Sequence, residues 1–393
     1  MLKNANLQRL GVPLLAGIAV GVGAQYVYKE YKKRSQGEDG ATTAQSKPQP
    51  KPIDWERARG VALRVSSWDQ HPVLDRSARE AQYLSYVRQS EEVIAQYLGV
   101  SLPKPTEKVV VVDRKEWLDA NFISLKGMLK PLEDVFDTLA AQGKVGRLEG
   151  PIAGVQLGGM FGYLARRVLG QYELGLLSPE PQEQGILYFV EPNIDKLQRT
   201  LGLSDEFRLW IALHEVTHVF EFEAYDWVRG HFSGLLNEFM SLTTQKMTEQ
   251  GMGVGALLRR LADGVSLERH WLSWMMTSEE RALFERLQAL MSLVEGYSDH
   301  VMNVLGRDII TNFDEIERKV KARKEMRSPL DELLERVMGM DLKRAQYKEG
   351  EAFVNAIVDA EGLPFLQKVW EKPEHLPTLA EIRTPERWIE RMG

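Results

Sequence analysis

The chain has 393 residues, 44% hydrophobic and 27% charged, the balance of a globular protein with room for one large domain or two ordinary ones. A net charge of −6 supplies no dominant basic field, so no nucleic-acid partner is expected. There is no cysteine, which excludes disulfides, cysteine nucleophiles and thiolate metal ligands; any metal must be held by His, Asp or Glu.

Residues 10–28, LGVPLLAGIAVGVGAQYVY, carry no charge. As a helix they would span about 30 Å, the thickness of a bilayer core. Their terminal position, flanking charge and following linker point to a single-pass membrane anchor within residues 1–34. A cleaved signal peptide is the alternative, because Val22-Gly23-Ala24 resembles a small-residue cleavage site. Lys29, Lys32, Lys33 and Arg34 follow the segment, against Lys3 and Arg9 before it. That asymmetry leans toward a cytoplasmic body. Residues 35–53, polar with alternating Lys-Pro, read as a flexible linker, and residues 54–393 as the functional domain.

Along the body, Asp75 to Leu98 places apolar residues at helical spacing. Lys108 to Asp113 (KVVVVD) is a β-branched run and reads as a buried strand. Ile186 to Val190 (ILYFV) is a second strand, closed by Glu191-Pro192-Asn193. Gly158 to Leu174 reads as one glycine-initiated amphipathic helix. After Ser204, a candidate N-cap, helical patterns run to the C-terminus. The expected fold class is α+β, predominantly helical with a small sheet.

The stretch LHEVTHVFEFEAYDWVRGH, residues 213–231, holds three of the seven histidines. Glu206 to about Trp227 lacks Pro and Gly and should be one helix, ending before Gly230. His214 and His218, at i and i+4, then share a face and can reach one ion. Glu215 is turned about 100° away, so it can miss the metal and act as general base on a water. A zinc site needs a third ligand. Ala224 stands where a metzincin would place its third histidine, which excludes that pattern, and His231 is an unforced candidate. The stretch QALMSLVEGYSDHVMNVL, residues 288–305, embeds Glu295 and Asp299 in an apolar helix. Burying two carboxylates on such a face is costly unless a cation or donor meets them. Glu295 is the expected third ligand, and Asp299, one turn on, would accept a ligand histidine's ring N–H. A Glu-x-x-x-Asp helix beside a His-Glu-x-x-His helix is the gluzincin arrangement.

The segments RRVLGQYELGLL, LYFVEPNI, FRLWIALHEVTHVFEFEAYDWVRGH, LVEGYSDHVM, DLKRAQYKEGEAFVNAIVDAEG and LPTLAEIRTPERW give a wider likeness. With them the chain resembles the zincin-like metallopeptidases labelled deazaflavin coenzyme biosynthesis-associated, a family without an established substrate. The resemblance implies a zincin-like fold, zinc on His214, His218 and Glu295, and Glu215 as base. Two residues depart from the family pattern: Asp226 replaces an expected proline and Glu221 a common glutamine, both expected to lie off the ligands.

The expected activity is zinc-dependent cleavage of a peptide or protein substrate. A metal-dependent hydrolase of non-peptide amides in cofactor metabolism is one alternative, and a non-catalytic helical scaffold with structural zinc is another. Tyr297, His231, His300 and Tyr347 are the candidates for stabilising the oxyanion. Arg166 and Arg167 are expected to form structural ion pairs.

Overall fold

A computed structural model describes residues 51–70, 73, 75–141, 149–173, 185–250, 277–325 and 340–393. The apolar segment 10–28 and residues 35–50 of the linker lie outside them. Among the described residues no helix is long and apolar enough to cross a membrane. Pro52 and Ile53, the last positions of the expected linker next to Asp54, are already buried.

Helix α1 (Trp55–Ser66) leads to α2 (Arg76–Leu98), which starts at an Asp75 side-chain cap and ends on Gly99 at φ 66°. Strand β1 (Val109–Val112) is followed by α3 (Arg114–Ala141) and α4 (Glu149–Leu164). Two more strands follow, β2 (Gly170–Glu173) and β3 (Ile186–Val190). The sheet order is β1-β3-β2, with β1 parallel and β2 antiparallel to β3. Side chains alternate across it. Val111, Leu187 and Phe189 enter the main core, while Val112 and Val190 enter a smaller core with α1, α3 and α4.

Residues 158–174 do not form one helix. Gly158 and Gly162 face the backbone of α1, where an added Cβ would lie 2.3 Å from Ala58 O and 2.7 Å from Ala62 O. These glycines permit close helix–helix approach; they do not start a helix. The chain leaves α4 at Leu164, turns through residues 165–168 and re-emerges as β2. Asn193 holds that turn, donating to Ala165 O and Val168 O at 2.8 and 2.7 Å. Glu191-Pro192-Asn193 ends β3 by opening helix α5 (Glu191–Leu201), because Pro is favoured in a first helical turn.

Helix α6 (Glu206–Glu223) begins one residue later than a Ser204 cap would require, with Asp205 at the N-cap position. Its first turns are pinned by Arg208, fully buried, which meets Glu191 at 2.6 Å. Arg79 and Tyr83 of α2 hold the same carboxylate, so the buried charges are paired and hydrogen-bonded. Phe207, Ile211, Ala212, Leu213, Val216, Val219 and Phe220 bury α6 on most sides. It stops at Glu223, and α7 (Val228–Gln250) starts after a short turn, carrying Gly230 inside it. The helix expected to run to about Trp227 therefore ends four residues earlier, and residues 224–227 form the turn.

Helix α8 (Ser278–Ile309) opens on a complete Thr277/Glu280 capping box, and α9 (Phe313–Glu325) and α10 (Met340–Glu361) follow. α8 and α10 cross at paired glycines. An added Cβ on Gly296 would lie 2.2 Å from Gly350 C, and one on Gly350 would lie 2.0 Å from Ser292 O. The C-terminal segment packs Trp370 and Trp388 into the main core.

Candidate metal centre

α6 carries His214, Glu215 and His218, and α8 brings Glu295 to them. One ligand atom from each of His214, His218 and Glu295 lies within 4.8 Å of the others, and all three residues are half-buried. The two imidazole rings are 4.7 Å apart at 78°. Gly296 lets α10 approach α8 directly beside Glu295.

The surroundings suit a divalent cation. His218 Nδ1 is 2.7 Å from Glu221 Oε2, which leaves its Nε2 for an ion. Burial lowers the proton affinity of His218, but Glu221, Glu295 and Glu215 outweigh it and raise the pKa to about 10. Glu221 is pushed up to about 7 by burial, against the pull of His218, with Glu295 and Asp299 adding to the rise. The strongest charges acting here are thus carboxylates, with no lysine or arginine among them. Two His nitrogens and a carboxylate oxygen are a donor set typical of catalytic zinc, which keeps three protein ligands and an open position.

Glu215 is 7% exposed and lies against β2. The Tyr172 backbone N–H donates to its carboxylate. Burial pushes its pKa up to about 7, with His218 lowering and Glu295 raising it. Tyr172 in turn donates its hydroxyl to Glu223 at the end of α6, and Arg229 sits 3.4 Å from that glutamate. β2 is thereby tied to the end of the site helix through a side chain and to its middle through a main-chain N–H.

A family model of zincin-like metallopeptidases matches residues 53–389. The chain belongs to this family. A solved structure described as a candidate hydrolase with a novel fold, from Chloroflexus aurantiacus, is similar at 48% identity and a TM-score of 0.66. The match covers 86% of this chain and 98% of that one. No curated protein matches significantly.

Within this zincin-like frame the other sequence candidates fall as follows. Glu221 is not remote from the ligands; it is the ring partner of His218, three residues away on the same helix face. It is thus a carboxylate partner for the ring of one ligand histidine, and Asp299 adds negative charge near it. His231 lies in the first turn of α7, edge-on to Trp227 at 5.6 Å and outside the ligand group. His300 has both ring nitrogens engaged, by Tyr97 at 3.0 Å and Asn355 at 2.8 Å. Tyr297 is 1% exposed and packs on Trp370 at 5.3 Å. The side chain of Tyr347 is outside the described residues. Arg167 stacks on the Tyr163 ring at 4.3 Å.

Gly170 and Tyr172 are the site residues that sequence reasoning missed, although both stand in the quoted RRVLGQYELGLL block. A Cβ on Gly170 would lie 2.6 Å from Glu215 Oε1 and Cγ. A glycine inside a strand is the signal for such an approach. Gly170→Ala should shift Glu215 or β2 by about 1 Å and lower kcat about 100-fold with zinc content unchanged. Metal analysis beside steady-state kinetics checks this, and wild-type turnover would show that β2 does not position the carboxylate.

Proposed function

We propose that this protein is a zinc-dependent hydrolase of peptide bonds, with zinc held by His214, His218 and Glu295 and Glu215 as the general base. The observation that carries the reading is that Glu295 of α8 converges on the His214/His218 pair while Glu215 stands beside them. When bound, zinc supplies a Lewis acid that polarises a carbonyl and makes nearby water more acidic. Glu215, with a carboxyl already tuned toward neutrality by burial, takes a proton from the attacking water and returns it to the leaving amine. Tyr172 N–H and Gly170 hold that carboxylate in place. Glu221 keeps the His218 proton on Nδ1, so Nε2 stays available to metal.

A peptide is favoured over a smaller amide by β2. It lies at the sheet edge, and the Tyr172 N–H turned away from β3 reaches Glu215. An extended chain laid along that edge would meet main-chain groups next to the base.

Purified protein should carry one zinc per chain, and a mixed peptide library should be cleaved. A chelator is expected to reduce cleavage at least about 1,000-fold, with recovery on adding zinc. Protein that binds no zinc would overturn the metal assignment. Turnover of small amides with none of peptides would overturn the substrate class.

A further inference from the structure

Arg114, at the start of α3, is 2% exposed. Its Nε donates to Asn193 Oδ1 at 2.8 Å, and Nη1 donates to Ser66 O and Ser67 O at the end of α1. Its Nη2 is buried without a hydrogen-bond partner. Asn193 is also the residue that holds the 165–168 turn, so Arg166 on that turn is fixed relative to the same side chain. Lys196 follows Asn193 by three residues on α5, which places the two on one helix face. Arg166 and Lys196 are exposed.

No carboxylate forms a salt bridge with Arg114, Arg166 or Lys196 among the described residues. Arg166 was expected in a structural ion pair and makes none among the described residues. Burial and Arg166 lower the proton affinity of Arg114; burial, Arg114, Arg166 and Arg323 lower that of Lys196. This is unusual in a chain of net charge −6. Elsewhere in the same region Arg79 and Arg208 share Glu191, and Arg199 meets Asp195 at 2.8 Å. A buried guanidinium nitrogen lacking an acceptor, with two exposed cations on the segments that Asn193 joins, calls for an anion that the described residues do not supply.

We propose that Arg114, Arg166 and Lys196 form a binding site for a phosphoryl oxyanion at the turn leading into β2. A phosphate dianion answers three positive charges better than a single carboxylate, and the planar guanidinium fork matches its oxygens. The group can come as free phosphate or as a phosphorylated residue of a longer ligand. The site uses none of the residues assigned to zinc and does not depend on that reading.

The test is calorimetric titration of the full chain, at constant ionic strength, with inorganic phosphate and with a phosphoserine peptide beside its unphosphorylated form. At least one phosphorylated titrant should bind saturably, tighter than chloride or the unphosphorylated peptide. Arg166→Ala and Lys196→Ala, both exposed positions, should each weaken that binding about tenfold. Lys321→Ala on α9 should leave it unchanged. Loss of free-phosphate binding in the two variants identifies the anion as the ligand itself, and loss with the phosphopeptide alone identifies a phosphorylated partner. The proposal is overturned if neither titrant binds above its control, or if both variants bind as tightly as the parent.

Discussion

Glu215→Gln is expected to leave one zinc per chain and lower kcat by about 100- to 10,000-fold, the range for losing a general base. The corresponding barrier increase is about 3 to 5 kcal/mol. Glutamine has the same shape, and its amide oxygen can still accept the Tyr172 N–H. Removing a buried charge that stands near Glu295 should not unfold the chain, because that charge is disfavoured by desolvation before any cation binds. The variant therefore separates chemistry from metal binding. Zinc content and thermal midpoint should match the parent while peptide cleavage falls. Full activity would show that Glu215 is not the base.

Gly350→Ala should be the most destabilising single methyl addition in the described core. The new Cβ would lie 2.0 Å from Ser292 O and 3.5 Å from Gly296 Cα, both backbone atoms that cannot rotate away. α8 and α10 must separate, and overpacking of this kind costs about 1–3 kcal/mol, here at the upper end or beyond. Because Glu295 adjoins Gly296, the same displacement should weaken zinc binding. Gly159→Ala provides the control: its Cβ would meet nothing within 4 Å, and a helical alanine should stabilise by about 0.5–1 kcal/mol. Thermal midpoints with and without chelator, together with zinc affinity, check both effects. An unchanged affinity in Gly350→Ala would show that the crossing does not place Glu295.

Half of the candidate centre is local. His214, Glu215 and His218 occupy one helix, and a period of 3.6 residues alone puts the two histidines on one face with the glutamate beside them. Glu295 was inferable because a carboxylate embedded among Leu293, Val294 and Val301 needs a buried partner. The ring partner of His218 was harder to assign. Glu221 lies three residues from His218 on α6 and Asp299 four from Glu295 on α8; helical spacing allows either carboxylate to serve, and the structure shows Glu221 at Nδ1. Likewise, RRVLGQYE continued an amphipathic pattern from α4, so it read as helix. Only GQYE becomes strand β2; the residues before it form a turn that Asn193, nearly thirty residues later, holds.

What the amino-acid order determined by itself is the chemistry within reach of one helix: the two imidazoles, the neighbouring carboxylate, the absence of thiolate ligands and the helical class of the body. The tertiary structure decided everything that requires two distant segments to share a few ångströms. It brought Glu295 of α8 to the histidines of α6, laid Gly170 against Glu215, and set Asn193 between Arg114 and the turn that carries Arg166. Helical spacing is written in neighbours along the chain, whereas close approach depends on which side chains are missing at a contact, and a glycine names its partner only once the helices are packed.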